Sequence, residues 1–155
     1  MFRLKKILLI TFCIYLSSCT SIDVFEKNVA IPGFAWSNQV KPEISFTIDD
    51  TVSRYNIFIV LRHSDAYRYK NIWLNVSMQG PGISSPPQRF DLTLATDDKG
   101  WLGSGMDDIF EHRLPLFKSI QFPKAGNYTF TLQNIMREEP LENVMNVGIR
   151  LEKVK

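Results

Sequence analysis

From Ile44 onward, apolar side chains recur at every second position rather than every third or fourth. Ile44, Phe46 and Ile48 form one such row, Ile57, Ile59 and Leu61 a second, and Phe90, Leu92 and Leu94 a third. Tyr128, Phe130 and Leu132, then Val147, Ile149 and Leu151, repeat the pattern late in the chain, and Ile72, Leu74, Val76 and Met78 make a row opposite Trp73. A period of two puts successive side chains on opposite faces of an extended backbone, so each row predicts a strand with one buried face. Between the rows stand Asp49-Asp50, the stretch from Gly80-Pro81-Gly82 to Pro86-Pro87, Asp97-Asp98-Lys99-Gly100 and Ala125-Gly126-Asn127. These residues favour turns or tolerate a positive φ. Short strands at this spacing, without long helices between them, predict an all-β, antiparallel two-sheet sandwich over residues 40–155, immunoglobulin-like or jelly-roll.

Two segments read both ways or against the pattern. In Ser104 to Leu114, Ser104 and Asp107 have the spacing of a capping box for a helical turn, while Ile109 and Glu111 equally suit a strand; Pro115 is expected to end either one. Met136 to Glu142 reads as one helical turn before Pro140, because Arg137, Glu138 and Glu139 fit no buried strand face. Residues 19–39 read as a tether with an edge strand around Val24 to Val29, bounded by Pro32-Gly33.

The opening of the chain has no such alternation. Arg3, Lys5 and Lys6 precede an apolar run from Ile7 to Leu16, closed by Leu16-Ser17-Ser18-Cys19. The run is too short for a bilayer core of about 30 Å, which takes ~20 helical residues, and it matches an export leader. Small residues before a cysteine make it a bacterial lipoprotein signal: residues 1–18 are removed, the Cys19 thiol takes a diacylglyceryl group, and its new amino group takes a further acyl chain. The alternative is a cleaved secretory signal with a chance cysteine. Each buried methylene contributes ~0.8 kcal/mol, so two or three chains on Cys19 anchor the protein to a membrane. Thr20 stands where some bacteria place the aspartate that retains lipoproteins at the inner membrane, which favours the outer membrane.

With the leader gone, the charge changes sign. The chain has 18 basic and 16 acidic residues, a formal +2, and Arg3, Lys5 and Lys6 lie in the leader, so the mature charge is close to −1. No Lys/Arg run remains to displace counterions, which argues against a nucleic-acid partner. Cys13 departs with the leader and Cys19 is acylated. The folded part therefore has no thiol for catalysis, for a metal or for a disulfide, and its stability rests on apolar burial and backbone hydrogen bonds.

Candidate chemistry in the body is sparse. His63-Ser64-Asp65 contains the residue types of a serine hydrolase, but neighbours in sequence do not relay a proton as a triad does, and a strand-end turn is the better reading. His63 and His112 are the two histidines of the chain, too few for a zinc site, and one is expected at a strand end with its hydrogen bonds satisfied. Asp97, Asp98, Asp107 and Asp108 bracket a glycine-rich loop, where calcium is conceivable but solvated turns fit the spacing better. Gly103 and Gly105 lack the strand-to-helix context of a phosphate cradle. Tyr67, Tyr69, Trp73 and Trp101 are more suggestive, since aromatics on loops anchor a protein partner or stack on a sugar. Trp73, inside a strand, is expected in the core; Tyr67, Tyr69 and Trp101 are the candidate partner-binding residues. No catalytic residue, metal site or cofactor is expected.

The run Arg62-His63-Ser64-Asp65-Ala66-Tyr67-Arg68-Tyr69-Lys70-Asn71-Ile72-Trp73-Leu74, followed by Trp101-Leu102-Gly103-Ser104-Gly105-Met106 and Asp108-Ile109-Phe110-Glu111, resembles the gliding-motility lipoprotein GldH family. Phe122-Pro123-Lys124-Ala125-Gly126-Asn127-Tyr128-Thr129-Phe130, Gln133-Asn134-Ile135-Met136-Arg137 and Asn146-Val147-Gly148-Ile149 resemble its C-terminal half. The resemblance implies a non-catalytic component of the gliding apparatus of didermic bacteria, whose assembly is intertwined with type IX secretion. Members also occur in cells that do not glide. The implied partners are the membrane, through Cys19, and other motility or secretion lipoproteins or envelope proteins. A lipid-anchored carbohydrate-binding sandwich is the competing reading. An enzyme comes last, with Glu111 and Asp107 or Asp108 as its nominated carboxylates.

Overall fold

The computed structural model describes residues 24–154; Cys19 and the leader, with the lipid anchor expected there, lie outside the described residues. In chain order the elements are β1 (Val24–Ala30), a 3-10 turn at Pro32–Phe34, β2 (Ala35–Trp36), β3 (Glu43–Ile48), β4 (Tyr55–Ser64), β5 (Asn71–Gly80) and β6 (Ile83–Thr93). There follow β7 (Ala95–Thr96), β8 (Gly100–Trp101), β9 (Ser104–Met106), β10 (Ile109–Ile120), β11 (Gly126–Asn134), β12 (Leu141–Glu142) and β13 (Val144–Lys153). All the pairings are antiparallel.

Two main sheets pack face to face, one in the order β1-β13-β4-β10-β9 and the other β3-β11-β5-β6. The long strands pass between them as the chain proceeds: β1 in the first, β3 in the second, β4 in the first, β5 and β6 in the second, then β10, β11 and β13 alternating. This interleaving of two Greek keys is the jelly roll, which decides between the two sandwich types read from the sequence.

All six alternating rows lie on strands or run off their ends, and their apolar sides meet in one core. Ile57, Ile59 and Leu61 of β4 and Val147, Ile149 and Leu151 of β13 face Phe130 and Leu132 of β11 and Ile72 and Leu74 of β5. Leu94 is fully buried just past the end of β6. Each such Ile or Leu contributes ~1.5–3 kcal/mol on leaving water, and no covalent staple is present among the described residues to share that role.

Three expectations are corrected. First, the turn after β5 is confined to Pro81 and Gly82, and Pro86-Pro87 lie inside β6. Val76 pairs with Gln88 and Met78 with Ser85, so the two prolines oppose Ser77 alone, a bulge on an edge strand where missing N–H groups are tolerated. Second, of the two readings of Ser104 to Leu114 the strand one holds, as a hairpin of β9 and β10 turning at Asp107 and Asp108, and Pro115 does not end it. β10 runs on to Ile120 because beyond Glu111 its outer side has no partner strand, and shifts of register at Phe117 and Ile120 follow the proline. Third, Met136 to Glu142 makes no helical turn: Arg137 to Pro140 are bends and Leu141 and Glu142 form β12. Its course is set by fully buried Leu141, which pairs with Trp36 in the small β2-β12 ribbon.

Candidate functional site

At one end of the sandwich, β4 carries His63 one residue before its end, beside the loop of residues 65–70, while β8 and β10 bring Trp101 and His112 to the same place. Phe110 pairs with His63 and His112 with Leu61 across the β4-β10 ladder, so both histidines point into the core side of one sheet. His63 is 0% exposed and His112 2%. Around them pack Tyr67, Trp101 and Phe110, with ring centroids 5.0, 4.4 and 5.8 Å from His63. Gly103 allows the loop after β8 to lie against this group: a Cβ there would stand 2.5 Å from the Glu111 carbonyl oxygen and 2.9 Å from His112 Cε1.

The hydrogen bonds assign the protons. His63 Nδ1 donates to the Ser64 carbonyl oxygen at 2.8 Å, which leaves its Nε2 as acceptor for the Nε2–H of His112 at 2.9 Å. Burial disfavours the imidazolium form of both rings. It lowers the His63 pKa and, with the other histidine alongside, pushes that of His112 down to about 4. Burial also pushes the Tyr67 phenol up, and its hydroxyl donates to the Asn71 carbonyl oxygen at 3.0 Å.

His63, Ser64 and Asp65 turn to three different partners. The Ser64 hydroxyl reaches Asn143 Oδ1 at 3.3 Å, and Asp65 accepts the Trp101 indole N–H at 2.8 Å. The nominated Glu111 is held by Arg62 at 2.6 Å and Arg113 at 3.0 Å, Asp97 pairs with Lys70, and Asp107 and Asp108 are exposed. Among the described residues no group of three or more His, Cys, Asp or Glu side chains comes together as a metal site.

A surface cleft of about 430 Å3 at this end is lined by Tyr69, Asn71, Trp73, Arg89, Ile135, Met136 and Arg137. Tyr69 links it to the buried group, its ring edge-on to Tyr67 at 5.8 Å. The far wall is the chain leaving β11: Ile135 N–H donates to the Trp73 carbonyl oxygen at 3.1 Å and Trp73 N–H to the Met136 sulfur at 3.3 Å. Trp73 is therefore not in the core. It alternates with buried Ile72 and Leu74 on the outward face of β5, half-buried, with the Arg89 guanidinium 4.0 Å from its ring centroid.

Residues 23–151 match the family model described as GldH lipoprotein. The chain belongs to the GldH lipoprotein family. It is 30% identical over 149 residues to a gliding motility lipoprotein GldH homolog of Christiangramia forsetii, covering 90% of each chain. To the gliding motility lipoprotein GldH of Flavobacterium johnsoniae it is 27% identical over 153 residues, covering 94% of each. Among solved structures, the infectious bursal disease virus VP2 subviral particle aligns over 87% of this chain and 34% of that one at 11% identity, with a TM-score of 0.36, too low to carry a comparison.

In this member of the GldH family, the three candidate partner-binding aromatics sit together but differ in access. Tyr67 is 3% exposed and serves as support, while Trp101 and Tyr69 are half-buried. The two histidines, too few in sequence for a zinc site, are in contact with each other. Arg89, Met136 and Arg137 were not read as site residues. The signal that was available is the alternation of β5, which already put Trp73 on the face away from the core row.

Proposed function

We propose that this GldH-family lipoprotein is non-catalytic and supports assembly or stability of the gliding-motility and type IX secretion machinery through protein contacts. In this reading residues 1–18 are removed, Cys19 carries the acyl anchor, and Thr20 directs the protein to the outer membrane. The observation that carries the reading is the family match across residues 23–151. Its support in the fold is that His63, Ser64, Asp65 and Glu111 are each engaged by different neighbours, while Tyr69 and Trp101 remain partly accessible at one end.

Deletion of the gene, scored together for colony spreading, export of a type IX cargo and abundance of the other machinery lipoproteins, tests it. Loss of spreading or export with falling partner levels is expected. Restoration is expected from the wild-type gene and not from Cys19→Ala, whose product should fold but leave the membrane fraction. Normal spreading, export and partner levels in the deletion strain would overturn the reading.

A further inference from the structure

Every arginine among the described residues is taken by a protein acceptor except two. Arg54 donates to the Ser119 carbonyl oxygen, Arg62 and Arg113 to Glu111, Arg68 to Glu138, and Arg150 to Glu26 and Glu152. Arg89 and Arg137 have no protein acceptor among the described residues, and both line the cleft over Trp73. Two carboxylates close to them in sequence have other partners. Asp91, on the same strand as Arg89, accepts from Asn71 at 2.6 Å, and Glu138 pairs with Arg68.

A guanidinium resting on an indole face is fixed in place while its N–H groups remain free to donate, and such donors match the paired oxygens of a carboxylate. The rest of the lining is Tyr69, Ile135 and Met136, which suits the apolar part of a chain and not a sugar-phosphate polyanion. No lysine lines the cleft, and the mature charge near −1 supplies no wider positive field. At about 430 Å3 the cleft falls in the ordinary size range of ligand pockets, room for a few side chains.

Deepening the reading of a protein that works through protein contacts, and resting on it, we propose that this cleft receives an acidic peptide segment of a protein partner, with Arg89 and Arg137 donating to its carboxylates. Both arginines are exposed, so their replacement leaves the core untouched.

The test is fluorescence anisotropy with the full acylated protein in a neutral detergent and a blocked, labelled peptide of alternating glutamate and leucine. Saturable binding is expected, weakened about tenfold by Arg89→Gln and by Arg137→Gln, and weakened further by salt. Circular dichroism of each variant should match wild type. Equal binding of the glutamine counterpart of the peptide, or wild-type affinity in both variants, would overturn the proposal. Displacement of the peptide by millimolar inorganic phosphate would also overturn it, in favour of a phosphorylated surface as the occupant. Because the readout is binding by purified protein, failure here removes the cleft and leaves the assembly role standing on the gene deletion.

Discussion

His63 and His112 meet Nε2 to Nε2 at 2.9 Å with their ring planes 16° apart, one on β4 and the other on β10, both buried among Tyr67, Trp101 and Phe110. The single proton between them satisfies both rings only while both are neutral.

This pair makes stability depend on pH. In the unfolded chain both histidines titrate near the ordinary value of ~6.5, whereas in the fold burial holds both lower, His112 at about 4. Asp65 pulls His63 the other way but does not offset burial. As pH falls below ~6.5 the unfolded chain takes up protons that the fold excludes, so stability is full above that value and is lost toward pH 4, by about 1.4 kcal/mol per unit for His112, with His63 adding to the loss in the same direction. Urea unfolding at pH 7.5 and 5.0 should show a clearly lower midpoint at pH 5.0. His112→Leu should lower stability at pH 7.5 by about 1–3 kcal/mol, by stripping His63 Nε2 of its donor, and should flatten the acid slope. Equal midpoints for the wild-type protein would refute this.

A second relationship ties the cleft wall to the core. Asn134, 0% exposed at the end of β11, donates to the Trp36 carbonyl oxygen at 2.9 Å and accepts the Met136 N–H at 2.8 Å. Asn134→Leu preserves volume but strands both backbone groups, and should cost about 2–4 kcal/mol in urea unfolding. Because Met136 and its neighbours form the far wall, the same variant should also weaken acidic-peptide binding. Unchanged stability would mean that water replaces the amide.

Gly80 closes β5 against Tyr128, which is fully buried and donates through its hydroxyl to the Lys124 carbonyl oxygen at 2.7 Å. A Cβ at Gly80 would lie 2.2 Å from Tyr128 Cδ1. Gly80→Ala should therefore destabilise by about 1–3 kcal/mol, through displacement of the ring and loss of its contact with Phe122, whose centroid is 4.6 Å away. Thermal melting reads the effect directly. An unchanged melting temperature would show that the ring repacks freely.

Most of the strands were legible because the pleat is local: Ile44, Phe46 and Ile48 face the core whatever their strand pairs with. Misreadings fell where tertiary context overrides local preference. Pro86, Pro87 and Pro115 read locally as breaks, yet bulges and edge positions remove the need for their missing N–H groups. Arg137 and Glu138 read as helical because charged residues fit no buried face, but the bends that carry them lie between Asn134 and Leu141, both tied to distant Trp36. Trp73 reads as core from its place inside a strand, against its own alternation.

The sequence by itself determined the main strands, their inward rows and the family motifs, all properties of neighbouring residues. Only the tertiary structure decided the jelly-roll strand order, the contact between two histidines 49 positions apart, and the gathering of Trp73, Arg89 and Arg137 around one cleft. Which strands pair, and in what register, depends on loop closure and on packing between distant segments, and no local periodicity encodes that choice.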